Sequence, residues 1–172
     1  VLGSRGLGDV YKRQILETQL KGANLMTKKK VLYYFILFGM GAFGYGLIEI
    51  MWRGYTHPSM ALAGGIGMPI LSVIEQKFKN LKFVYRCISG GLTILSIEFV
   101  FGFIFNVWLG MHVWDYSTVP LNFKGQICFL YFTLWCFMCA PLLICADLAY
   151  TRFFGKDKPR REFTSIMSHE TT

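Results

Sequence analysis

Glu49, Arg53 and His57 stand at four-residue intervals where an apolar run ends, in GYGLIEIMWRGYTHPSM (Gly44–Met60). An acid one helical turn before a base is the order in which the two side chains meet best on a helix face. Two chemistries fit this arrangement. The pair can be a structural ion pair that pins the helix end at an interface, or it can join His57 in a polar site open to water. Glu98 poses the sharper problem, because GGLTILSIEFVFGFIFN surrounds it with apolar residues. An ionised carboxylate in mid-membrane costs about 2.5–3.5 kcal/mol on insertion scales, so burial favours the neutral acid. Protonated, Glu98 would donate to the Gly65 carbonyl, which Pro69 leaves short of its helical partner. Alternatively it is helix–helix glue that never changes charge. Asn106 closes the same run at about the depth of Glu49, where a polar contact between the first and third apolar segments is expected.

Other reactive types carry weaker signals. His112 and Asp115 lie in GMHVWDYSTVPLNFKG, on the same expected side as His57, but their spacing specifies no metal site. Cys136 and Cys139 form a C-x-x-C inside an apolar segment with no second ligand pair, which reads as packing. Asp147 is expected to snorkel toward Arg152. Gly3, Gly6 and Gly8 are not followed by a P-loop lysine, and neither a nucleophile elbow nor an H-E-x-x-H occurs. The chain is not expected to be an enzyme or to carry a cofactor or metal, and any ATP hydrolysis would fall to a partner. An intramembrane enzyme using Glu49, His57 or Asp115 as acid or base is the residual catalytic alternative.

The elements that must hold these residues follow from composition. Hydrophobic residues make up 53% of the 172-residue chain and charged residues 16%. The charges cluster and leave four apolar segments, about Val31–Trp52, Pro58–Ile74, Cys87–Leu109 and Gln126–Ala149, of 17 to 24 residues each. At about 1.5 Å per residue each can cross a hydrocarbon layer of about 30 Å, the second only barely. Small residues line the first pair. Gly39, Ala42, Gly46, Glu49 and Arg53 form a stripe on the first segment, matched by Ser59–Ala63–Gly67 and Ala61–Gly65 on the second. A tight antiparallel hairpin is expected. The expected architecture is an all-α, integral membrane four-helix bundle with short outer loops.

Basic residues set the expected sidedness. Lys28, Lys29 and Lys30 before the first segment, Lys77, Lys79, Lys82 and Arg86 between the second and third, and Arg152, Lys156, Lys158, Arg160 and Arg161 after the fourth make twelve on one side, against Arg53 and Lys124 on the other. The positive-inside bias then puts both termini in the cytoplasm. Trp52, Trp108 and Trp114 fall at the expected outer interface. The net charge of +8 lies beside apolar segments rather than along one amphipathic face, so anionic lipid is the expected partner and nucleic acid is not.

VLGSRGLGDVYKRQ resembles translated sequencing-adaptor sequence, so residues 1–14 are set aside as an artefact, with the native start expected near Met26. Residues 15–30 form a cytoplasmic N-terminal segment, 31–150 the four-span domain, and 151–172 a disordered basic cytoplasmic tail.

The motifs GYGLIEIMWRGYTHPSMALAGGI (Gly44–Ile66), IEFVFGFIFN (Ile97–Asn106), VWDYS (Val113–Ser117) and NFKGQIC (Asn122–Cys128) resemble the putative ABC-transporter type IV family over most of residues 30–150. The family's glutamate, arginine and histidine match Glu49, Arg53 and His57. Its membrane glutamate matches Glu98, and its outer-loop acid matches Asp115. The resemblance implies a multi-pass protein of a bacterial plasma membrane, labelled a permease subunit of an ABC-type transporter. Such a subunit needs an ATPase partner, expected to dock on the loop Glu75–Arg86 or the basic tail. Four helices are few for a translocation path, so a homo-oligomer or a larger membrane partner is also implied. The alternative is a non-transporting scaffold, sensor or assembly factor.

Overall fold

The computed structural model describes residues 2–155, with side-chain environments from Arg13 onward. The expected basic tail therefore lies almost wholly outside the described residues. About 80% of the described residues are helical. Helix α1 spans Leu2–Arg53, α2 Pro58–Phe78 and α3 Phe83–Phe101, which continues as a π-helical segment, Gly102–Trp108. Two short strands, β1 (Asn122–Phe123) and β2 (Ile127–Cys128), pair antiparallel before α4 (Phe129–Phe154). Four helices are long and apolar enough to cross a membrane, in the order the apolar segments predict.

The helix ends follow local chemistry. Helix α1 stops at Gly54, whose φ of 79° reverses the chain while its N–H reaches the Ile50 carbonyl at 2.8 Å. Pro58 opens α2, where its missing N–H is no loss. At the other end of α1, the helix begins far before Val31. Gln14, Leu16, Glu17, Leu20, Lys21 and Ala23 are good helix formers and no proline intervenes. Apolarity marks where a helix can enter lipid, and its start is set by propensity.

Between α2 and α3 the connection is only Lys79–Lys82. The expected loop Glu75–Arg86 is thus mostly helix, and both residues that bound it are turned inward.

The chain divides into two compact units, residues 1–69 with 97–114, and residues 70–96 with 115–172. In the first, α1 and α2 cross at Gly41 and Gly64. A Cβ on Gly41 would lie 2.2 Å from the Gly64 carbonyl oxygen, and one on Gly64 would lie 2.4 Å from the Tyr45 Cβ. Gly65 takes the Phe38 ring in the same way. This corrects the expected stripe. Gly39 faces open space and Gly46 makes only marginal contact with Thr56, so the close crossing belongs to Gly41 and Tyr45, off the predicted ladder. Tyr33 and Leu37 extend the buried face toward the N-terminus, while Glu49 and Arg53 continue it as predicted.

The second unit packs Leu71, Cys87, Ile94, Cys139 and Leu143 into one apolar cluster. Its tightest seam is the C-x-x-C against a glycine pair: a Cβ on Gly90 would meet the Cys139 sulfur at 2.7 Å, and one on Gly91 the Cys136 sulfur at 2.5 Å. The cysteines are packing groups. In the segment before α4, Tyr116 stacks on Tyr131 at 4.5 Å and Asn122 binds the carbonyls of Ser117 and Val119. The hairpin turns through Lys124 and Gly125, with φ of 51° and 68°.

The crossing can be tested in detergent by thermal unfolding. Gly41→Ala should lower stability by about 1–3 kcal/mol through overpacking. Gly39→Ala, which meets nothing within 4 Å, should be neutral or stabilising by about 0.5–1 kcal/mol.

Candidate functional site: a polar clamp in the first unit

The C-terminal turns of α1 carry Tyr45, Glu49 and Arg53, each one turn apart. Glu49 is buried at 8% exposure. Its Oε1 is held by Arg53 Nη2, and its Oε2 accepts the Thr56 hydroxyl at 2.7 Å. Arg53 uses its other terminal nitrogen to donate to the Val113 carbonyl at 3.0 Å. Asn106 takes the far side of the same residue: its Oδ1 accepts the Val113 N–H at 2.7 Å and its Nδ2 donates to the Trp114 carbonyl at 2.9 Å. The main chain at Val113–Trp114, which has no helical ladder, is thereby bonded by side chains. Both residues are buried.

Asn106 reaches this position because the helix widens. At 100° per residue, eight residues would place it about 80° around from Glu98. Over Gly102–Trp108 the chain is π-helical, with Leu109 N–H bonded to the Ile104 carbonyl five residues back at 3.0 Å. At roughly 82° per residue the π turns return Asn106 to within about 10° of Glu98. One face then presents both polar groups.

Glu98 is 2% exposed, and the Tyr45 hydroxyl donates to its Oε1 at 3.3 Å. His57 sits at the start of α2. Its Nδ1 accepts the Ser59 N–H at 3.2 Å and lies 2.7 Å from the Ser59 hydroxyl, so it caps the helix and carries its ring proton on Nε2 when neutral. Its ring meets Phe105 edge-on at 6.4 Å.

The structure therefore gathers Glu49, Arg53 and Asn106 around Val113, and pairs Glu98 with Tyr45. The expected contact between Glu49 and Asn106 runs through the Val113 peptide. Asp115 belongs to the second unit, where it is exposed and accepts the Ser117 N–H and hydroxyl at 2.8 and 2.9 Å. Trp114 is buried, whereas Trp52 and Trp108 are exposed. Asp147 meets Lys79 at 2.6 Å rather than the expected Arg152, because the α2 end brings a lysine to it. Sequence reasoning missed Tyr45 and Thr56. Tyr45 stood on the Glu49–Arg53 spacing, but the Val113 peptide had no side-chain signal.

Chemically the cluster is saturated. Both oxygens of Glu49 and both terminal nitrogens of Arg53 are engaged, so the pair holds a chain segment in place. Among the described residues no group of three or more His, Cys, Asp or Glu is arranged to hold a metal ion.

Breaking the clamp should be costly in a specific order. Arg53→Met strands a buried carboxylate and should lose about 3 kcal/mol, while Glu49→Gln/Arg53→Met should regain about half of that. Asn106→Leu leaves the Val113 N–H and Trp114 carbonyl unsatisfied and should lose about 1–3 kcal/mol. Thermal unfolding in detergent measures all three, and equal stability of Arg53→Met and wild type would refute the clamp.

Comparison with known proteins adds one finding. Neither the curated proteins nor the solved structures include a match to this chain. A family model described as "putative ABC-transporter type IV" matches residues 26–168, a span that contains α2, α3, α4, the polar clamp and Glu98. The chain belongs to the putative ABC-transporter type IV family.

Proposed function

We propose that the chain is the membrane subunit of an ABC-type transporter, a four-helix bundle with both termini in the cytoplasm and its ATPase on a separate chain. The observation that carries this reading is the family match over residues 26–168, combined with four helices long and apolar enough to span a membrane. The excess of basic residues at one set of helix ends supports the orientation. Four spans are few for a path of their own, so the unit that moves a solute is an oligomer or a complex with a larger membrane partner.

The ATPase would dock on the α2–α3 turn. Lys77, Lys79 and Lys82 are exposed there beside Leu81 and Phe83, while Glu75 and Arg86 point inward. An acidic surface with an apolar centre is the complement. A second reading has its own support: the saturated contacts of Glu49, Arg53 and Asn106 suit a rigid scaffold or assembly factor that moves nothing.

Purification in mild detergent separates the two. An ATPase that copurifies, and falls about tenfold in yield when Lys77, Lys79 and Lys82 are changed together to Glu, is the expected result, since reversed charge repels the complementary face. Recovery of an unrelated membrane protein alone would favour the scaffold.

A further inference from the structure

The second unit contains a buried ion pair unlike the clamp in the first. Glu75 of α2 is 3% exposed and its Oε1 is held by Arg86 Nη1 of α3, whose side chain is 16% exposed. The guanidinium also lies over the Phe83 ring at 5.1 Å. Yet the set is incomplete. Glu75 Oε2, Arg86 Nε and the neighbouring Gln76 Nε2 are buried with no hydrogen-bond partner among the described residues. The other charges that act on Glu75 are Lys79, just after α2, and Asp147 of α4, which pair with each other at 2.6 Å and are half-exposed. They supply field, but no hydrogen bond to the bare atoms. Leu71, one helical turn before Glu75, and Cys87, next to Arg86 in sequence, belong to the apolar cluster.

Bare polar atoms raise the free energy of the state that buries them, because water would satisfy each one. Here the pair lies about one turn from the exposed four-residue turn Lys79–Lys82. Loosening that turn would hydrate all three atoms while the Lys79–Asp147 pair sets the resistance. We infer that Glu75, Gln76 and Arg86 form a latch, a closed arrangement held open-ready by its own unsatisfied polar atoms, at which the α2–α3 end of the second unit admits water. The latch would operate in a transporter or a scaffold alike.

Cys87 is a native reporter. It follows Arg86 in sequence, lies within electrostatic reach of Arg86 and Glu75, and is 8% exposed in the closed state. Cys139 of the same cluster is 0% exposed and serves as the internal reference. Detergent-solubilised protein is treated with a water-soluble maleimide, and labelling of each cysteine is followed over time by peptide mass spectrometry.

In wild type Cys87 should label about tenfold faster than Cys139, through local opening. Glu75→Leu/Arg86→Met removes the charges and two of the bare atoms, and Gln76→Leu removes the third alone. Each should slow Cys87 labelling, the double variant by about tenfold. Equal labelling of Cys87 and Cys139 in wild type overturns the latch. So does unchanged or faster labelling in the variants, which would mean that the pair holds the end shut. Should the double variant fail to fold, Gln76→Leu decides by the same criterion.

Discussion

In hydrocarbon a polar group has no water to fall back on, so every buried donor and acceptor must be answered from within the chain. The same rule holds for any buried segment, and the Val113–Trp114 main chain, beyond the third apolar segment, meets it through side-chain bonds. It follows the π-helical segment and lacks a ladder of its own, yet Arg53 and Asn106 bond its peptide groups from two sides. Arg53 could not do this as an isolated cation. Glu49 neutralises it, and Thr56 occupies the oxygen that Arg53 leaves. The end of α1, the turn into α2 and the segment after α3 are thus three consequences of one charge-balanced contact.

The spans were legible because lipid imposes a coarse rule, about twenty apolar residues without charge, that the sequence either meets or fails. Faces were legible only in part. The pairing of Glu49 with Arg53 follows from a spacing of four, which any helix honours. The glycine contact did not follow, since Gly39, Gly41, Gly44 and Gly46 offer several stripes and only the bulk of Phe38 and Tyr45 selects Gly41. Asn106 could be placed by depth but not by direction, because its phase depends on the π turns, and nothing in GFIFNVW announces a change of period. Asp147 was assigned to the nearest basic residue in sequence, whereas the basic residue that reaches it is 68 positions away.

The acids of the interior divide by what answers them. Glu49 has a base and a hydroxyl and is complete. Glu98 meets a tyrosine hydroxyl, a partner that serves either the neutral or the ionised form. Glu75 has a base for one oxygen and nothing for the other. The three differ in the neighbours that meet them.

That division bears on whether the chain can move anything. A transporter needs two arrangements of nearly equal free energy, and packed, saturated contacts supply only one. Around Val113 a second arrangement would have to break an ion pair and three further hydrogen bonds. Around Glu75 the reverse holds, because the closed arrangement already forgoes hydrogen bonds that an open one would recover. The contact around Val113 is answered on each side, whereas the pair at Glu75 is under-satisfied. An apolar pair of similar volume at positions 75 and 86 would hold α2 to α3 at least as well, so adhesion alone does not account for an ion pair there.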